Sequence, residues 1–255
     1  VEMDNLWQRW DQLDFNANKI GPGETVEWAG DHFFKQICPT MVCPSNPGGY
    51  WNEPAGPGSD GRYFRVHYMG CAGTRGYPRS DSSDATPTLH NPYAPLVSGN
   101  YPLPPECSTQ YIYSATTDGI MLQNKQLSMR DATDGTSNTI LLGERQYYDV
   151  VFDESPIVDD HIRDWGWCWF AAQGDNFLGT SVPINFNLPE NFDTLTPAEQ
   201  DLLFDDRINA YGSMHPGGCQ IALVDGSVRF IAQTISPLTF RALGTRMLGE
   251  VLPAF

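Results

Sequence analysis

The chain has 255 residues, 40% hydrophobic and 12% aromatic, with 24 Gly and 20 Pro. That is enough apolar material for one sizeable core and excludes a disordered chain. Fifteen Lys and Arg against 31 Asp and Glu leave a formal net charge of -16, which excludes nucleic acid and anionic lipid surfaces as partners, because the cations that would replace their counterions are lacking.

In chain order, residues 1–13 predict an amphipathic helix. Leu6, Trp10 and Leu13 fall at helical spacing, and Glu2 and Asp4 sit in a first turn that favours acids. Residues 16–60 read mostly as loop, with turn chemistry at Pro44-Ser-Asn-Pro-Gly-Gly. Residues 62–69 alternate and are rich in Tyr, Phe and Val, a strand pattern. Residues 70–107 form a long insertion rich in Pro, Ser, Asp and Gly, bracketed by Cys71 and Cys107; a disulfide between them would staple it. Residues 111–115 and 119–122 read as short strands, 139–142 as an apolar strand, 163–171 as another, and 183–193 as loop. Thr196-Pro-Ala-Glu199 is a capping box opening a helix to about residue 204. Ser236-Pro237 opens a last helix, with Leu238, Phe240 and Leu243 apolar and Gly244 as its C-cap.

Strands outnumber helices, and close-set turns imply antiparallel pairing. The expected fold is α+β: an antiparallel sheet, an N-terminal helix packed on it, and long decorating loops. Residues 1–255 read as a single domain with a loop insertion at about 70–107. No apolar run approaches the roughly 20 residues of a membrane span. The six cysteines are Cys38, Cys43, Cys71, Cys107, Cys168 and Cys219. An even count suits disulfides and an oxidising compartment, although Cys38 and Cys43 could also bridge locally. The absence of a Cys-x-x-Cys pair argues against a zinc ribbon.

The sharpest local pattern runs from Cys219 to Ala232. Asp225-Gly226 is the preferred pair for a two-residue type I′ hairpin turn. In that register Leu223 faces Val228 and Ile221 faces Phe230, so these four share one apolar face. His215 lies upstream, beyond the paired strand.

His215, nine intervening residues and Asp225-Gly226 together resemble the defining motif of the planctomycete His-x9-Asp-Gly proteins. Asp131-Ala-Thr-Asp-Gly-Thr-Ser-Asn-Thr-Ile-Leu-Leu-Gly-Glu-Arg145, which carries Asp134, Gly135, Asn138 and Glu144, is similar to a second hallmark of that family. Val1-Glu-Met-Asp-Asn-Leu-Trp, Cys43-Pro-Ser and Gly249-Glu250-Val251 resemble weaker elements, so the resemblance spans the chain in order. It implies a pilin- or pseudopilin-like head whose prepilin-type N-terminal segment and long apolar helix have been removed. It also implies a place in fibres or in a type II secretion-like machine. The insertion at 70–107 has no counterpart in the resemblance.

There is no Gly-x-Ser-x-Gly elbow, and Ser213 stands too close to His215 along a strand for a relay. Cys219, four residues after His215, reads better as a core or disulfide cysteine than as a nucleophile. Asp131, Asp134, Ser137 and Asn138 could offer oxygens to calcium, with Glu144 and Asp225 as further donors; the alternative is an Asp-Gly turn whose side chains cap local backbone. Trp165, Trp167 and Trp169 alternate, so in a strand they share one face that could stack on sugar rings or pack in a core. Asp159-Asp160 and Asp205-Asp206 are adjacent, which makes their side chains diverge.

The expected role is non-enzymatic: an extracytoplasmic structural or assembly protein at the cell surface or in the periplasm. Its partners would be copies of itself or other pilin-like subunits, with membrane contact only through the missing N-terminal helix. The alternative is an extracellular module that binds polysaccharide or another solute. Calcium is the one candidate ion.

Overall fold

A computed structural model describes residues 37–46, 63–76, 118–122, 126–158 and 177–250, together with 27–28, 31–32, 51–52, 162 and 166. The predicted helix at 1–13 and the strand at 111–115 lie outside the described residues, as do 77–107 of the insertion.

Two small antiparallel pairs come first: β1 (Glu27–Trp28) with β2 (Asp31–His32), and β3 (Trp51–Asn52) with β4 (Tyr63–Phe64). The main sheet holds β5 (Tyr68–Gly73), β6 (Ile140–Glu144), β7 (Phe177–Gly179), β8 (Gly218–Leu223) and β9 (Val228–Ala232), in the order β7-β5-β6-β8-β9. The helices are α1 (Val150–Glu154), α2 (Pro197–Asn209) and α3 (Pro237–Gly244). The fold is therefore α+β, but its sheet is mixed. β7 runs parallel to β5, a pairing that needs a long crossover, and more than a hundred residues separate the two strands.

The core lies on one face of this sheet. Cys219, Ile221 and Leu223 alternate along β8 and are fully buried, as are Ile140 of β6 and Met69 and Cys71 of β5. Phe240 and Leu243 of α3 join the same cluster, with Tyr211 between them and the strands. At roughly 25 cal/mol per Å² of apolar surface removed from water, each such side chain contributes about 1.5–3 kcal/mol.

The 219–232 hairpin forms, but not in the expected register. Ala222 pairs with Val228, Ile221 with Arg229 and Gln220 with Phe230. Leu223 N donates to Ser227 O, and Gly226 N donates to Leu223 O. The loop is thus Val224-Asp225-Gly226, with positive φ (83°) at Gly226 alone. A type I′ turn would need it at Asp225 too; this is a three-residue loop ending in a left-handed glycine. The cause is tertiary. Val224 is buried with Ile120 and Ala132, its N–H donates to Thr139 O, and the Asp225 N–H donates to Thr136 O. Pulled out of the ladder, Val224 slips the register by one. Val228 and Phe230 move to the opposite side of the sheet, 63% and 47% exposed, and Ile231 turns inward.

Other expectations shift in smaller ways. The capping box at Thr196 and Glu199 is present as read, but α2 runs on to Asn209. Its last turn is anchored by charge: Arg207 Nε meets Asp149 Oδ2 at 2.7 Å and Asp206 Oδ1 meets Arg75 Nη1 at 2.6 Å. Gly244 ends α3 without a positive φ; a Cβ there would lie 2.2 Å from the Thr180 hydroxyl, so the glycine serves close packing. Residues 119–121 are bends, not a strand, hydrogen-bonded to Cys71 and Ala72.

The cysteine reading is corrected as well. Cys38, Cys43, Cys71 and Cys219 are free thiols, so neither a Cys71–Cys107 staple nor a local Cys38–Cys43 bridge is formed. Cys71 instead points into the core, 3.6 Å from Gly244 O. Cys107 and Cys168 lie outside the described residues.

Candidate functional site

Three motif residues that are distant in sequence meet at one end of the sheet. Pairing of β5 with β6 sets Tyr68 opposite Glu144. His67, just before β5, accepts from Cys43 N at its Nδ1 (2.9 Å) and so fixes Cys43 beside the same strand end. Pairing of β6 with β8 brings Gln220 alongside, and its N–H donates to Glu144 Oε2 at 2.7 Å. His215 lies in the loop entering β8. Its N–H donates to Ser213 Oγ (3.0 Å), and that hydroxyl donates to Gly218 O (2.7 Å).

The result is a compact trio. Cys43 Sγ is 3.2 Å from Glu144 Oε1 and 3.9 Å from His215 Nε2, and Nε2 is 3.4 Å from Oε1. Cys43 and Glu144 are buried, while the His215 side chain keeps 32% of its surface open to solvent. Among the described residues this is the one group of three His, Cys, Asp or Glu side chains whose donor atoms all lie within 4.8 Å. Burial pushes the Cys43 thiol up from its ordinary pKa, and the Glu144 carboxylate raises it further. The neighbouring Tyr68 hydroxyl is pushed up to about 12, first by burial and then by its neighbours Cys43 and Glu144. A rise of the kind seen at Cys43 disfavours the thiolate, which is the nucleophilic form.

The other predicted residues are engaged with backbone. Asp134 Oδ1 and Oδ2 accept from Gly249 N and Leu248 N at 2.8 and 2.9 Å, which clasps the segment after α3. Gly135 O accepts from Asn138 N, and the Asn138 amide donates to Asp134 O. Asp131 accepts from Ser128 N and Oγ, contacts that lower its pKa. Asp131 and Asp134 thus point to separate partners. Asp225 closes its own turn by accepting from Ser227 Oγ and N, which lowers its pKa, and with Gly226 it forms the hairpin tip.

Ser213 is occupied as a loop brace. Cys219 is buried in the core, where loss of solvent raises its thiol pKa strongly. Asp206 is paired with Arg75, and Asp159 and Asp160 lie outside the described residues. So do Trp165, Trp167 and Trp169. Gly166, between the first two, has φ +92° and donates no room for a side chain: a Cβ there would fall 1.8 Å from the Tyr147 hydroxyl oxygen.

Sequence reasoning placed Glu144 and His215 in motifs and noted Cys43-Pro-Ser, but did not bring the three together. Cys43 stands 101 and 172 positions from its partners, beyond any local spacing rule. The available signal was chemical: Cys43, Glu144 and His215 are all metal-ligating residue types, each within a motif and each next to a Pro or a Gly.

Among the described residues no helix is long and apolar enough to cross a membrane. No curated protein and no solved structure matches the chain. Residues 1–238 match a family described as "Protein of unknown function (DUF1559)", and the chain belongs to that family.

Proposed function

We propose that the chain is a non-enzymatic, extracytoplasmic structural protein, the head of a pilin- or pseudopilin-like subunit that assembles with copies of itself or with related subunits. The observation that carries this reading is the outer edge of the sheet. Among the described residues β9 is the terminal strand in the sheet order, and Val228 and Phe230 stand exposed on the side facing away from the core. An open strand edge with apolar side chains is a template for pairing with another chain. One further feature supports it: the Asp134 and Asp225 hallmarks hold loops and turns together.

The resemblance to planctomycete His-x9-Asp-Gly proteins with prepilin-type N-termini supplies the location. With no disulfide among the described residues, the placement outside the cytoplasm rests on that resemblance and on the acidic composition. Carbohydrate binding through Trp165, Trp167 and Trp169 has no supporting observation among the described residues.

The test is immunolabelling of native cells with an antibody to this head, in wild type and in a Phe230→Lys strain. Labelled surface fibres that disappear in the variant, with the protein still folded and exported, are expected. Diffuse or cytoplasmic label in wild type would overturn the reading.

A further inference from the structure

We infer that Cys43, Glu144 and His215 form a zinc site, three protein ligands from three separate segments with the fourth position left to solvent. The inference is independent of the assembly reading.

The geometry comes first. In a tetrahedral site with Zn–S near 2.3 Å and Zn–N and Zn–O near 2.0–2.1 Å, ligand atoms stand roughly 3.3–3.6 Å apart. The trio shows 3.2 Å (S to O), 3.4 Å (N to O) and 3.9 Å (S to N). An ion can enter with shifts of a few tenths of an ångström and without rebuilding the backbone.

The donor set selects the ion. Thiolate, imidazole and carboxylate together suit Zn²⁺, whereas Ca²⁺ and Mg²⁺ prefer oxygen alone. This separates the trio from the calcium expectation at Asp131 and Asp134, whose oxygens are turned to backbone N–H groups.

Each ligand is also held from behind. Gln220 N fixes the second oxygen of Glu144, His67 fixes the Cys43 backbone, and Ser213 fixes that of His215. Such outer contacts orient ligands and tune affinity. Charge balances too. On binding, the Cys43 S–H bond breaks, the proton leaves to solvent, and a Zn–S bond forms. Thiolate and carboxylate then neutralise the dication in a site where an unpaired charge would be costly. The solvent-facing side of His215 is the way in.

The test uses the full chain, reduced and stripped with a chelator at pH 7, titrated with Zn²⁺ and separately with Co²⁺. One equivalent of Zn²⁺ is expected to bind and to raise the Tm. Co²⁺ is expected to give a thiolate-to-cobalt charge-transfer absorption. Cys43→Ser should abolish that absorption, and His215→Ala should weaken Zn²⁺ binding by at least about tenfold. His215 is partly exposed, so its variant keeps the fold even if Cys43→Ser does not, and circular dichroism checks both. No charge-transfer absorption in wild type would overturn the site, as would unchanged Zn²⁺ affinity in folded His215→Ala. The trio would then be a hydrogen-bonded cluster only.

Discussion

Two buried carboxylates stand five residues apart on the segment from β6 to α1, and they are used in opposite ways. Asp149 is closed by its surroundings. It accepts from Arg207 Nε at 2.7 Å, from Leu188 N at 3.0 Å and from Phe152 N at 3.2 Å, so one side chain pairs a guanidinium, pins a loop and caps α1. Glu144 takes one backbone N–H from Gln220 and turns its other oxygen to a thiol and an imidazole. A carboxylate serving only the fold seeks a cation and backbone donors, as Asp149 does. One aimed at a cysteine and a histidine has the surroundings of a ligand. Burial alone does not separate the two; the chemistry of the partners does.

The largest expected effect comes from breaking the closed side. Burial lowers the Arg207 pKa, and Asp149 offsets this by favouring the charged form. Asp149→Ala leaves the buried guanidinium without that partner and removes the α1 cap. Loss of one member of such a pair costs about 3–5 kcal/mol, to be read as a fall in the urea midpoint at unchanged slope. If the two carboxylates are as separate in role as their partners indicate, zinc raises the Tm of this variant by about the same increment as in wild type. A lost zinc response in folded Asp149→Ala would merge the two regions into one.

A smaller effect is expected at the clasp. Asp134 ties the segment after α3 through two charge-assisted bonds, to Leu248 N and Gly249 N, and Asp134 N donates to Arg246 O. Asp134→Ala keeps the last of these and loses the first two. About 1.5–3 kcal/mol should go, on the scale of hydrogen bonds to charged groups. Hydrogen exchange should localise the loss to residues 246–249. Exchange unchanged there would mean that other contacts hold the segment.

What could be read in advance follows the range of the interactions. The capping box is legible because its residues lie within one turn. The hairpin is half legible: Asp225-Gly226 marks the turn, but the register is set by Val224, whose burial against Ile120 and Ala132 comes from distant segments. That slip puts Val228 and Phe230 on the outer side, where four apolar residues had been expected to share one face. β7 escapes notice because Phe177-Leu-Gly is too short to alternate and pairs parallel with a strand far upstream. The trio is hidden for the same reason in stronger form, since three loops and strand ends meet only once the β5–β6–β8 order is known. The Asp134 cluster was the more visible metal candidate because its acids are close in sequence, but that closeness does not make them share a ligand: Asp131 is taken by Ser128 N nearby and Asp134 by Leu248 N and Gly249 N from the far end of the chain.

The smallest effect tests the purely local end of this contrast. Thr196 Oγ1 accepts from Glu199 N, while Glu199 Oε2 accepts from Thr196 N and Oγ1. The reciprocal bonds satisfy donors that the first turn of α2 leaves unpaired. Thr196→Ala should cost about 1 kcal/mol. The same contacts lower the pKa of Glu199, so its ionised form is favoured in the folded state. Its contribution is therefore complete above the ordinary carboxyl range and is lost as pH falls through the lowered folded value. The gap between wild type and Thr196→Ala in urea midpoint should then be wider at pH 7 than in strong acid. An equal gap at both pH values would mean that the hydroxyl caps α2 without help from the carboxylate. Thr196 is exposed and far in sequence from Cys43, so neither outcome should move zinc binding.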